Sequence, residues 1–338
     1  MKSFTIATVA LLAITAFSVY KFTAQEESYS ARLRNIANTI NSQNLSWKAE
    51  APSRFQDMEK SRVKALMGAL MDGPKLEEVV HPFGLSAPAS FDSRTNWPNC
   101  SSIGEIRDQA NCGSCWAFGA AEAMSDRVCI SSNGSKQTRI SAQDITSCCN
   151  SCGYGCNGGY PSAAWQYFQS NGVVSGGLYG STDTCSPYVL APCAHHTQSP
   201  IYPPCPPVVP TPQCSTQCIS SYGKSYGQDK TYGSSAISVT GVTSMMNEIS
   251  TNGPIEVAFS VYEDFLTYKT GVYIQTSGQY LGGHAVKALG YGTENGVDYW
   301  LIANSWNPTW GDQGYFKIRK GTNECGIESQ GVAGGVRN

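Results

Sequence analysis

The chain has 338 residues, of which 41% are hydrophobic, 11% aromatic and 14% charged, and 23 Lys plus Arg against 25 Asp plus Glu leave a formal charge of −2. This is enough apolar material for a packed core and too little charge for a disordered chain, and the near-neutral balance without a basic run excludes nucleic acid as a partner. Fourteen cysteines point to a disulfide framework if the chain is exported.

Export is what the first residues predict. Residues 1–20 run from Lys2 into an almost unbroken apolar stretch between Phe4 and Val19, with Ala16, Phe17 and Ser18 as a small-x-small cleavage site. The stretch is too short for a membrane span and reads as a signal peptide. It implies the secretory pathway, no membrane anchoring, and delivery to a lysosome, an acidic vacuole or the exterior. Residues 21–86 read as a propeptide: they hold no cysteine and carry dense mixed charge. The spacings Leu33, Ile36, Ile40 and Val63, Leu66, Met67, Leu70 predict two short amphipathic helices there. The boundary falls between His81 and Pro88; the alternative is an integral N-terminal domain. Asn44, Asn99 and Asn133 begin N-x-S sequons open to glycans in that pathway.

From 87 to about 252 the pattern is helices and cysteine-rich loops. Within QANCGSCWAF, Cys115 opens a Pro-free, Ala-rich run that is apolar nearly all round to Val128, which predicts a buried central helix. A thiol in its first turn faces unpaired backbone N–H groups and the positive end of the helix dipole, and a neighbouring imidazolium completes conditions that lower a thiol from about 8.5 to roughly 4. The competing reading is a redox or zinc pair of Cys112 with Cys115. With Cys115 and the isolated Cys325 set aside, the remaining cysteines suffice for six bridges, whose connectivity spacing leaves open. A zinc site built from Cys148, Cys149, Cys152 and Cys156 with His195 and His196 is the alternative use of part of that set. After Gly253 the pattern changes to strands over 255–261, 272–275, 285–291, 298–303 and 315–318, with a hairpin turn at Glu294, Asn295 and Gly296. The fold class is therefore α+β, a helical half at 87–252 followed by a β half at 253–338.

A cysteine nucleophile needs a base, and the chain has four histidines. His81 lies in the propeptide, and His195 and His196 lie in a proline-studded loop. His284 opens a strand after Gly282 and Gly283, whose missing side chains admit a substrate backbone. Asn304, in the segment ANSW, is one strand further on and suited to orient the imidazole; Gln109 is placed to donate, with the Cys115 N–H, to an oxyanion.

The segments QANCGSCWAF, GGHAV and NSWNPTWGDQGYFKIRKGTNECGIES together resemble the papain family of cysteine peptidases, in its cathepsin B-like branch, from about Phe91 to Gly334. The resemblance implies a papain-like fold, a helical left domain and a β-barrel-like right domain with the cleft between them, and a zymogen whose own propeptide inhibits it. It implies no metal or cofactor, peptide and protein substrates, and cystatin-like inhibitors as partners. Position by position, Cys115 resembles the nucleophile, His284 the general base and acid, Asn304 the orienting amide and Gln109 the oxyanion donor. Trp306 matches the indole over the Asn/His contact, and Gly159, in CNGGY, a backbone clamp for extended peptide. The loop Cys193–Cys205 with His195 and His196 resembles an occluding loop that closes the primed end of the cleft and binds a terminal carboxylate, which implies removal of C-terminal dipeptides. Asp108 matches its anchor.

The chain departs from the family in three ways. The loop holds no Arg or Lys, and Thr309 stands where the partner aspartate belongs, so one salt bridge is missing at both ends and a more mobile loop with more endopeptidase activity is expected. Gln330 replaces an acidic residue at the base of the S2 pocket, which predicts apolar or aromatic P2 residues. Ala110 replaces a glycine before the Asn-Cys pair, a place for backbone strain. A catalytically silent peptide-binding homologue is the alternative function.

Overall fold

A computed structural model describes residues 28–50, 60–82, 84–194, 201–207 and 209–337. The signal-peptide segment, His195 and His196 lie outside them. Among the described residues no helix is long and apolar enough to cross a membrane.

Three helices shape the first half: α3 (Cys115–Ser131), α4 (Ala142–Cys148) and α5 (Pro161–Ser170), preceded by α1 (Tyr29–Ser42) and α2 (Lys60–Lys64) and followed by α6 (Val242–Asn252). Helix α3 is buried along every face from Cys115 to Cys129, as its uniform apolarity predicts. A fully enclosed helix must also place its few charges, and two of them, Asp126 and Arg127, reach residues of the segments that follow. Asp126 pairs with Lys287 at 2.9 Å, both side chains fully buried. Arg127 bonds Glu248 at 2.9 Å and the carbonyls of Gly253, Pro254 and Gly334. Removing one partner of such a pair strands a buried charge at a cost of about 3–5 kcal/mol, so these contacts hold α3 in one position against the sheet.

The strands are β1 (Trp47–Ala49), β2 (Glu77–Glu78), β3 (Phe91–Asp92), β4 (Ile237–Ser238), β5 (Ile255–Tyr262), β6 (Tyr268–Tyr273), β7 (Tyr280–Glu294), β8 (Val297–Ala303), β9 (Tyr315–Arg319) and β10 (Gly331–Ala333). Their order is β1-β6-β9-β8-β7-β5-β10-β4-β2, with β3 on β7. This corrects the barrel-like expectation: the sheet is open, because β1 and β2, which bound it, pair on one side only. The β7–β8 hairpin turns where expected, with Asn295 and Gly296 both at positive φ, 50° and 79°. The twelve cysteines beside Cys115 and Cys325 form six bridges, 100–129, 112–156, 148–214, 149–152, 185–218 and 193–205. Cys112 is thus bound to Cys156, and neither the Cys112/Cys115 pair nor the four-cysteine zinc alternative survives.

The N-terminal segment packs onto the β half. Helix α1, capped by Ser28 on the Ala31 N–H, buries Leu33, Ala37 and Ile40, and β1 pairs with β6 from Trp47↔Gly271. The second expected helix stops at Lys64. Leu66, Met67 and Ala69 are nonetheless buried, because the chain goes extended and spends its apolar side chains on the groove between the halves rather than on one helix face.

Glu263 latches both parts of this segment: Arg32 reaches it at 2.9 Å and Lys60 at 3.1 Å. Burial pushes the Glu263 carboxyl up, but the Arg32 guanidinium, the Gln279 N–H and Lys60 outweigh it and hold it below the usual carboxylate range. A depressed carboxylate contributes fully above its ordinary value and is lost only as pH falls through the lowered one, so this latch stays shut in mild acid and opens only once pH has fallen below the usual carboxylate range. Arg32 is 40% exposed, which screens its share. Glu263→Gln is expected to weaken the hold by about 1–2 kcal/mol, read as a roughly five- to thirtyfold faster onset of activity of the full-length chain at pH 5; an unchanged onset would remove the latch.

Candidate active site

Cys115 is the first residue of α3, where the Ala117 and Phe118 N–H groups are the first to be satisfied, both by the Ser114 carbonyl at 2.8 and 3.1 Å. Its sulfur is fully buried in a small apolar pocket of Ala69, Ala258 and Ala285, with Met71 alongside. Burial pushes the thiol up to about 11, against the backbone N–H groups of Ala285, Gly68 and Trp116 that pull it down. In this covered form burial therefore favours the neutral thiol, which differs from the sequence expectation of a thiolate. The helix terminus is present, but Gly68 and Ala69 have displaced the water that a thiolate needs.

Ala285, whose N–H reaches that sulfur, follows His284 on β7. His284 is fully buried, and its Nε2 lies 2.8 Å from Asn304 Oδ1 at the end of β8. Trp306 stacks on the imidazole at 4.8 Å between ring centroids, tilted by 33°. Neighbouring antiparallel strands β7 and β8, in register at Lys287↔Ala303, are what bring two residues twenty apart in sequence into hydrogen-bond contact. Asn304 Oδ1 also accepts the Ser305 N–H at 2.8 Å.

Gln109 is held from behind. Its Oε1 accepts from Ser305 Oγ at 2.8 Å and Trp306 Nε1 at 3.2 Å, which aims the amide nitrogen at the cleft. There Nε2 donates to the Leu66 carbonyl at 3.1 Å and the Cys112 carbonyl at 2.9 Å. The Tyr188 hydroxyl donates to the Gln109 carbonyl at 2.8 Å and stands 3.2 Å from Ser114 Oγ. Tyr188, Ser114 and Ser305 carried no sequence signal as supports, since their role depends on three distant segments meeting.

After a turn at Leu66, residues 67–70 run extended through the groove. Gly159 N–H donates to the Gly68 carbonyl at 2.9 Å, Leu70 N–H to the Gly159 carbonyl at 2.9 Å, and Ala69 N–H to the Gly283 carbonyl at 3.0 Å. Gly283 leaves room for this segment's backbone: a Cβ there would lie 2.3 Å from the Ala69 carbonyl. Gly68 is equally forced, its Cβ position being 1.8 Å from the Gly113 carbonyl oxygen. Gln330 lies farther along, in a groove of ≈ 510 Å³ shared with Leu70, Met71, Pro161, Ser162 and Val332.

At the other end, Asp108 accepts the Cys193 N–H at 3.0 Å, the Ala110 N–H at 2.7 Å and the Asn307 amide at 3.0 Å. Asn307 Nδ2 also holds the Cys193 carbonyl at 2.7 Å, so the described base of the 193–205 loop is clamped by backbone contacts to both residues. Thr309 turns its hydroxyl and N–H onto Asn307 Oδ1, at 2.6 and 2.9 Å, and serves that clamp. Ala110 sits at φ 53°, the left-handed conformation that costs a residue with a Cβ about 1–2 kcal/mol.

Residues 87–334 match the family described as papain family cysteine protease. The chain is similar to cathepsin B-like cysteine proteinase 4 of Caenorhabditis elegans, 48% identical over 332 residues that cover 97% of both chains. It is also similar to cathepsin B-like cysteine proteinase 6 of the same organism, 47% identical over 313 residues, 89% of this chain and 82% of that one. Among solved structures, proCathepsin B S9 from Trypanosoma congolense superposes with a TM-score of 0.77 at 35% identity, covering 90% of this chain and 98% of that one. A recombinant stem bromelain precursor, with a TM-score of 0.67 at 23% identity over 97% and 99% of the chains, supports the fold.

Proposed function

Since the chain belongs to the papain family of cysteine proteases and is cathepsin B-like, we propose that Cys115, His284, Asn304 and Gln109 are its catalytic residues and that residues 21–86 are removed to expose them. The observation that carries this is the cleft itself: the Leu66 carbonyl occupies the Gln109 amide while Gly68 and Ala69 cover the Cys115 sulfur, so a length of the chain's own backbone holds the place of a substrate. After its removal the Cys115 thiolate attacks a peptide carbonyl. The carbon–sulfur bond forms, the oxygen takes the negative charge beside Gln109 Nε2 and the Cys115 N–H, and the imidazolium of His284 gives its proton to the leaving amine. Water then attacks the thioester, surrendering a proton to His284, and the carbon–sulfur bond breaks to release the acid and regenerate the Cys115 thiolate beside the imidazolium. Asn304 holds the ring, Trp306 keeps water from that contact, and Gly159 and Gly283 pair with the substrate backbone. Cystatin-like proteins are the class of inhibitor that fits such a groove, and a signal peptide at 1–20 directs the zymogen to an acidic or extracellular compartment. Chelation is expected to leave activity unchanged.

We assign the 193–205 loop, with His195 and His196, to the primed end, where it supports removal of C-terminal dipeptides. Among the described residues Asp108 and Asn307 hold the loop at Cys193, and the salt bridge expected in the family is missing at both ends, because 193–205 holds no Arg or Lys and Thr309, at the partner position, bonds Asn307. Endopeptidase activity is therefore expected to be substantial. Internally quenched peptides with free and amidated C-termini are expected to be cut within about threefold of one another; a tenfold or larger preference for the free carboxylate would speak for a firmly closed loop.

Gln330 offers an amide where an acid would attract arginine. Apolar P2 residues are expected to lead, and Gln330→Glu is expected to raise kcat/KM for P2 arginine about tenfold by supplying a charge-assisted partner. A library in which the unaltered protein already ranks arginine first would refute this.

A further inference from the structure

The covering segment does not end at the cleft. From Gly68 and Ala69 beside Cys115 it passes Leu70 and Met71 in the Gln330 groove and continues through Leu76 to β2. There it becomes the last strand of the sheet, parallel to β4 with Glu77↔Ile237 and Glu78↔Ser238 in register. Val79 N–H donates to the Ser238 carbonyl at 2.9 Å, Thr240 Oγ1 reaches the Glu78 carboxylate at 3.2 Å, and Val79 packs on the main core. Residues 68–79 thus trace one track from the sulfur to a sheet edge. The other face of β4 is already paired with β10, at Val332↔Ser238 and Ala333↔Ile237. Removal of the propeptide leaves the outer backbone groups of β4 unpaired beside an apolar seat, an edge that binds extended chains.

We propose that in the processed protein β4 is a secondary recognition site for protein substrates. It takes an extended segment as an added strand, with an apolar side chain in the Val79 seat, about ten residues N-terminal to the scissile bond. The N-terminal side follows from the reading above, on which this inference rests: the track leaves Cys115 past the Gly159 clamp, away from the loop assigned to the primed end. The occupant is unfolded or loop polypeptide, since only an extended backbone pairs with an edge strand.

The test uses processed protein and two fluorogenic substrates with the same residues around the cut, one short and one extended by about twelve N-terminal residues of alternating valine and threonine. Two restored backbone hydrogen bonds and one apolar contact are expected to raise kcat/KM for the extended substrate about tenfold, through KM. No gain overturns the proposal. Ser238→Pro, which removes the outward N–H of β4, is expected to abolish the gain while the short substrate is cut as before; a retained gain overturns it. Should that variant fail to fold, a peptide of residues 74–82, which lacks the part that covers Cys115, is expected to slow the extended substrate only. Inhibition of both substrates, or of neither, overturns the site. Failure of Cys115-dependent cleavage of the short substrate strikes the catalytic reading instead. Binding of the 74–82 peptide to the processed chain, abolished by N-methylation of Val79, then decides the β4 site alone.

Discussion

Cys115→Ala is expected to lower kcat/KM by about 10⁴–10⁶-fold while leaving the fold intact. The size follows from the chemistry: without the sulfur no acyl intermediate forms, and groups that act as one unit lose most of their effect when any member is removed. The fold survives because the sulfur makes no bridge and sits among Ala69, Ala258 and Ala285, where an alanine leaves a small apolar void worth about 1 kcal/mol. Turnover on a fluorogenic peptide after processing by an added protease, with thermal unfolding as the fold control, reads both halves of this expectation. Cys325→Ala is the matched control and is expected to keep full activity, since that thiol lies beside Glu324, outside the cleft. Activity that survives Cys115→Ala would reject the assigned nucleophile. A silent peptide-binding homologue would show no turnover in the unaltered protein and equal peptide affinity in both forms.

The second expectation concerns the same sulfur before and after processing. With the thiol pushed up to about 11 in the covered form, the thiolate fraction at pH 6 is about one in 10⁵. Uncovered, with the helix terminus and the His284 imidazolium acting on it, the thiol falls toward about 4 and is almost wholly ionised. Ionisation alone gains about five decades in reactivity. The weaker nucleophilicity of a less basic thiolate, with a Brønsted slope near 0.45 over seven units, returns about three. Processing is therefore expected to speed iodoacetamide labelling of Cys115 by at least about a hundredfold at pH 6, before steric opening of the cleft adds more. The pH dependence separates the states. In the covered form the rate rises tenfold per unit toward pH 11, because the raised thiol gains its charge only there; in the processed form it is nearly flat from about pH 5 to 8. Peptide mapping distinguishes Cys115 from Cys325. Equal labelling rates before and after processing would show that burial does not govern this thiol.

The sequence was most legible where one property repeats locally. The uniform apolarity from Cys115 to Val128 announced a buried helix, and α3 is one. The strands near 255, 298 and 315 lie within a residue or two of their expected bounds, because β-branched and aromatic runs between turn residues leave little choice. The run Val63, Leu66, Met67, Leu70 misled for a physical reason. Its spacing suits a helix face, yet Gly68 must approach the Gly113 carbonyl and the backbone pairs with Gly159 and Gly283, an outside partner that periodicity does not encode. The supports of Gln109 were invisible in the same way: Tyr188, Ser305 and Trp306 come from two distant segments.

Residue types and their order along the chain were enough to name the family and to single out Cys115, His284 and Asn304 as candidates, since each depends on side-chain chemistry and on motifs a few residues long. Folding alone decided how those groups stand in the covered form. The pairing of β7 with β8 puts Asn304 on His284, the 112–156 bridge commits Cys112 and leaves Cys115 unbridged, and the extended passage of residues 67–70 buries the sulfur and favours its neutral form. The charge on a thiol depends on the solvent around it, and segments far apart in sequence decide whether water reaches it.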